Sequence, residues 1–133
     1  MNDTKEPIPR AVAAAELASS RPVVIVESPF AGKGRTEEEI RASMEANRKY
    51  AIDACVDCIR RGEVPYASHL FFPQFLDELK PEERELGLTA GYAMWSSASR
   101  IVFYEDLGFS LGMERAWKRA ISLSFIRERR RIR

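Results

Sequence analysis

Two short apolar runs, each closed by an acid, constrain this chain most. Pro22–Glu27 reads PVVIVE and Arg100–Glu105 reads RIVFYE. Neither alternates apolar with polar residues. A strand with one face in water alternates, whereas a strand covered on both faces does not. Both runs are therefore expected to be central strands with helices packed on either side.

The segments between them supply those helices. Thr36 stands as an N-cap before Glu37, Glu38 and Glu39, and Glu39 completes a capping box at the positive end of a helix. Ile40, Met44, Asn47, Ala51, Cys55 and Cys58 keep three- and four-residue spacing along one face, and Gly62 stops the helix. Glu63–His69 (EVPYASH) reads as a second strand, placed at a sheet edge by Pro65. Pro81 opens a helix running to about Ala98, with Gly87 and Gly91 on one face. Ser110 caps a helix over Leu111–Ile121, and Ser122–Arg127 is the expected fourth strand. The order β-α-β-α-β-α-β predicts a small three-layer α/β/α sandwich, Rossmann-like, with a four-stranded parallel sheet of order 2-1-3-4.

A chain of 133 residues makes one such domain, burying about two-thirds of its unfolded surface. Residues 1–20 are expected to be an N-terminal arm, loose at first and then a short Ala-rich helix over Arg10–Ser20. Residues 21–127 form the domain and 128–133 a basic tail. Net charge is +1, yet Arg127–Arg133 holds five arginines and one glutamate. With no interleaved aromatics, that run is read as a solvated tail or an arm meeting acids on another subunit, and no nucleic-acid partner is expected. Two cysteines are too few for a disulfide framework, and no apolar run approaches the ~18 residues that span a bilayer. A reduced, cytoplasmic protein without a membrane partner is expected.

Strand order 2-1-3-4 puts the switch point between the first and third strands, where open α/β sheets bind ligands. Glu27-Ser28-Pro29-Phe30-Ala31-Gly32 follows the first strand; its backbone N–H groups and Gly32 suit phosphate or sugar oxygens, or form an ordinary strand-to-helix turn. Asp106-Leu107-Gly108-Phe109-Ser110-Leu111-Gly112-Met113 follows the third. Asp106 and Ser110 either meet a ligand or cap the turn. His69, the single histidine, is a candidate acid or base. Asn47 either reaches a ligand or, more simply, hydrogen-bonds the first-strand loop. Cys55 and Cys58 lie mid-helix without further ligands, so no metal or cofactor is expected and both are assigned to the core. Trp95 and Trp117 are read as core or interface residues.

Taken together, VVIVESPFAG, N-x-x-Y-A at Asn47–Ala51, RGEVPYASHL, ELGLTAGYAMW and FYEDLGFSLGM resemble the nucleoside 2-deoxyribosyltransferase-like superfamily, over about Pro22 to Arg127. The nearest likeness is to its small phage and bacterial members without an assigned function. The resemblance implies a nucleoside or nucleotide ligand, a carboxylate attacking the anomeric carbon, and a homodimer or larger homo-oligomer. Ser28-Pro29-Phe30 matches the superfamily's first loop in kind, and Asp106 with Gly108 matches the start of its Asp-x-Gly-x-x-x-Glu turn. The nucleophilic glutamate of that turn falls at Gly112. Glu114 comes two residues later, about 200° round a helix.

Two functions follow as expectations. One is an enzyme acting on an N-glycosidic bond, a hydrolase or deoxyribosyltransferase, with Asp106 as the first catalytic candidate, Glu27 the second and His69 the acid. Ser28, Pro29, Phe30, Gly32, Asn47, Gly108, Ser110, Gly112 and Met113 would bind the ligand. The other is a non-catalytic domain that senses or sequesters a nucleotide-derived ligand. An interaction module built on the Ala-rich helix and arginine tail is a third, weaker reading.

Overall fold

The computed structural model describes residues 21–133; the arm and helix expected at 1–20 lie outside them. The sheet has four parallel strands in the order β2-β1-β3-β4. These are β1 (Val23–Glu27), β2 (Val64–Tyr66), β3 (Arg100–Tyr104) and β4 (Arg127–Arg130). Helix α1 (Glu37–Arg60) joins β1 to β2. After β2 come the short α2 (Ser68–Phe71), a 3-10 turn at Phe72–Gln74, α3 (Pro81–Tyr92) and a second 3-10 turn at Trp95–Ser97. Helix α4 (Leu111–Ser122) links β3 to β4.

Continuous apolar strands serve two cores because successive side chains point to opposite faces. Val24, Val26, Val102 and Tyr104 pack against Tyr50, Ala54 and Cys58 of α1. Ile25, Ile101 and Phe103 pack on the other face against Met113, Ala116 and Ala120 of α4, with Trp95. The result is the expected three-layer α/β/α sandwich. Both predicted caps form: Thr36 Oγ1 accepts from Glu39 N and Ser110 Oγ from Met113 N. The capping box is shifted by one residue, since the Glu39 carboxylate accepts from Arg35 N at 2.8 Å. Gly62, at φ +83°, follows α1 as its left-handed stop.

Three expectations need correction. Strand β2 ends at Tyr66, so His69 lies in α2 and not at a strand end. The third helix stops at Tyr92, and Trp95 follows in a 3-10 turn that packs it into the core. The largest change is at the C-terminus. The fourth strand is Arg127–Arg130, not Ser122–Arg127, so the sheet continues into the supposed basic tail. Its arginines are occupied within the chain. Arg130 is buried against Glu63 and Glu128, Arg129 pairs with Glu105, and Arg127 lies over the Trp117 ring. Aromatic faces and nearby acids hold these cations, which composition alone assigned to solvent.

Among the described residues, no helix is long and apolar enough to cross a membrane.

Candidate functional site

A chamber of about 60 Å³ lies at the C-terminal ends of β1 and β3, between α2, α3 and the start of α4. It opens beside a wider groove of about 570 Å³ between α1 and the α2 turn, and Phe30, His69 and Pro73 line both. The chamber alone holds about four waters. A ligand larger than that needs the space of the neighbouring groove as well.

Glu27 ends β1 and lines the chamber. It touches chamber solvent but is otherwise enclosed, and burial raises its carboxyl to about 8. A carboxyl in that state carries its proton at neutral pH. The next residue, Ser28, shares a 2.7 Å hydrogen bond with His69 Nε2. Burial lowers His69 to about 4, so the imidazole is neutral. The edge of the Phe30 ring packs against it at 5.7 Å between centroids. Tyr92 closes another wall; burial raises its phenol, and the nearby Glu27 adds to the shift.

The turn before α4 contributes Ser110, Gly112 and Met113. Ser110 caps the helix and lines the chamber at once. A Cβ at Gly112 would have only Ser110 Oγ nearby, at 3.8 Å, so there is room for a side chain at this position. Of the residues named from the sequence, Glu27, Ser28, Phe30, His69, Ser110, Gly112 and Met113 thus meet at one cavity.

Five others do not line it. Asp106 faces α1 and the C-terminus, where its carboxylate accepts from Tyr50 OH, Ile132 N and Arg133 N. Burial acts to raise that carboxyl, but these donors together hold it below its usual value. Asp106 thus neither faces the chamber nor caps its own turn; its oxygens hold the C-terminal segment and Tyr50. Asn47 Nδ2 donates to the Phe30 and Ala31 carbonyls and so shapes the loop. Gly32 lets that loop lie on α1, since a Cβ there would collide with the Ile40 carbonyl and with Met44. Gly108 makes the β3–α4 turn at φ +84°, and Pro29 lies in the loop without facing the chamber.

The polar chamber residues that sequence reasoning missed are Ser68, Glu78, Arg84 and Tyr92. The signal available was the Gly87–Gly91 pair. A Cβ at Gly91 would come within 2.8 Å of the Ser68 side chain, which is how closely α3 approaches α2. Cys58 is fully buried and Cys55 partly so, and burial raises both thiols, Cys55 to about 11. Both are inert core residues. Among the described residues, no group of three or more His, Cys, Asp or Glu is arranged to hold a metal ion.

Residues 22–129 match the model of a family described as a domain of unknown function, DUF7768. The chain belongs to this family. No curated protein and no solved structure matches it. The DUF7768 match spans the whole sheet, from the residue before β1 to within β4.

Proposed function

We propose that this DUF7768 domain takes a nucleoside- or nucleotide-type ligand across the groove and chamber and hydrolyses its N-glycosidic bond, with Glu27 as the acid. One observation carries this reading: an enclosed carboxyl at a strand end that keeps its proton up to a pH of about 8. A base leaving an anomeric carbon takes the bonding electron pair and needs a proton. A positioned acid whose pKa lies near the working pH supplies it best. The C1′–N bond breaks as the Glu27 proton passes to the base, and a water oxygen then bonds C1′ while that water gives up one proton, leaving a hydroxyl there. The sequence resemblance supports the ligand class. So does the groove, where Phe30, Met44, Leu70 and Pro73 offer an apolar bed and Arg41 and Arg48 stand at the rim.

The second reading, binding without cleavage, is favoured by the empty space at Gly112 and by the engagement of Asp106 elsewhere. One experiment separates the two. The protein is incubated with a panel of nucleosides, nucleotides and dinucleotides, and retained ligand and free base are followed by chromatography with mass spectrometry. Base release that stops in Glu27→Gln supports the acid role. A ligand held and returned intact by the wild type supports binding alone.

A homodimer or larger assembly belongs to the same proposal. Ile52, Val56, Ile59 and Val64 expose apolar surface along α1 and the β2 edge, the kind of surface that a second subunit covers. Free thiols at Cys55 and Cys58 fit the cytoplasmic location also proposed. The solution mass tests the assembly.

A further inference from the structure

Glu78 stands in the segment between the α2 turn and α3, and it lines the same chamber as Glu27. Its side chain is nine-tenths buried, at 10% exposure. Its charged neighbour is Arg84, Nη1 to Oε1 at 3.9 Å, too long for a hydrogen bond. Buried carboxylates ordinarily have their oxygens filled. Among the described residues Glu78 makes no hydrogen bond, and it lines the chamber. Glu78 lies alongside α3, where a Cβ at Gly87 would be in ordinary contact with Glu78 Oε2, at 3.8 Å.

We propose that Glu78 is the second catalytic carboxylate of this site, the base that removes a proton from the water attacking C1′, and that Arg84 is its positioning residue. This assignment rests on the N-glycosidic reading above. Glu27 gives its proton to the departing base as the C1′–N bond breaks. The water oxygen bonds C1′ and its proton passes to Glu78. Exchange with solvent then returns one proton to Glu27 and removes one from Glu78, so one water is consumed.

The environments of the two carboxyls differ in the direction this division needs. Burial raises both, but the Arg84 guanidinium opposes the rise at Glu78, and burial acts alone at Glu27. Asp77 beside Glu78 works against Arg84. Of the other chamber groups, Glu27 is protonated near pH 7 and so places no like charge against Glu78, while His69 and Tyr92 are neutral. An acid and a base in one site need different surroundings, and the cation beside Glu78 supplies that difference.

The test uses the full chain and whichever nucleoside or nucleotide the wild type cleaves. Glu78→Gln should lower kcat by about 10²- to 10⁴-fold with its circular dichroism unchanged. Sodium azide, an anion that attacks C1′ without a base, should restore base release and leave a glycosyl azide visible by mass spectrometry. Arg84→Gln should move the acidic limb of the kcat/KM profile to higher pH, since Glu78 loses the cation that favours its ionised form. If Glu78→Gln fails to fold, Glu78→Asp takes its place and should lower kcat while keeping an acidic limb. An unchanged kcat in the folded variant overturns the assignment while the N-glycosidic reading stands. Loss of kcat that azide does not restore, with the Arg84→Gln profile unmoved, also overturns it. A wild type that releases no base from any panel member overturns both.

Discussion

Arg130, on edge strand β4, forms a two-pronged ion pair with Glu63, which immediately precedes the opposite edge strand β2. Nη1 donates to Oε1 at 2.7 Å and Nη2 to Oε2 at 2.6 Å. The Arg130 side chain is 3% exposed, and its Nη1 also reaches Tyr104 OH at 3.2 Å. The pair ties the last strand to the end of α1, because Glu63 N donates to the Cys58 carbonyl.

Removing one partner of such a pair leaves a buried charge alone. Arg130→Met should therefore cost about 3–5 kcal/mol, read as a lower urea midpoint at pH 7. Changing both residues to apolar ones should recover much of the loss. The pH dependence has a definite sign. Hydrogen bonds from Arg130 hold the Glu63 carboxyl below its ordinary 4.5. Its contribution is complete above that value and disappears as pH falls through the depressed one. Wild type should lose stability steeply below pH 4.5, and Arg130→Met should lose less over the same interval.

Asp106 makes a contrasting prediction. Its oxygens accept from Tyr50 OH and from the N–H groups of Ile132 and Arg133. Asp106→Ala leaves those donors without their acceptor, at about 1–3 kcal/mol. Thermal unfolding should report that loss, while ligand retention at the chamber stays at the wild-type level once the variant is folded. Loss of ligand without loss of stability would return Asp106 to the site.

These two residues show what the sequence made legible. Asp106 after a buried strand reads equally as a ligand-binding acid and a turn cap, and the path of 131–133 back towards it gives it a third role that no local signal shows. Arg130 looked like tail because arginine is rarely buried. Its partners Glu63 and Tyr104 are 67 and 26 residues away. Strands β1 and β3 and both helix caps were readable because periodicity, Thr36, Ser110 and Gly62 are local signals. The β1 half of the chamber was readable for the same reason. Its far wall, with Glu78 and Arg84, was not, since 70–79 has neither helical nor strand period and its position depends on how α2 meets Gly91.

Glu27 should make the protein less stable as pH rises. Its carboxyl ionises near 4.5 when unfolded and near 8 when folded. Between those values the unfolded state binds fewer protons, so stability falls with increasing pH. Glu27→Gln removes the titration and keeps a neutral side chain of the same shape. The variant should match wild type at pH 4 and exceed it in Tm by a growing margin up to about 8, measured by scanning calorimetry. A constant difference across that interval would mean that Glu27 is ionised in the folded protein.

Gly112 gives the sharpest test of what the chamber lacks. It occupies the second position of α4, and a Cβ added there would have only Ser110 Oγ within 4 Å, at 3.8 Å. A glycine inside a helix is less favourable than alanine by about 0.8–1 kcal/mol, so Gly112→Ala should fold at least as well as wild type. Gly112→Glu adds a carboxylate at the positive end of the helix, where it is stabilised by about 0.3–1 kcal/mol. That carboxylate would stand in the chamber with the protonated Glu27. If the domain binds a nucleoside-type ligand, Gly112→Glu should release base faster than Gly112→Ala, and intact-mass analysis should detect a covalent sugar adduct. Equal rates, with the ligand still retained by both variants, would show that the anomeric carbon does not reach α4.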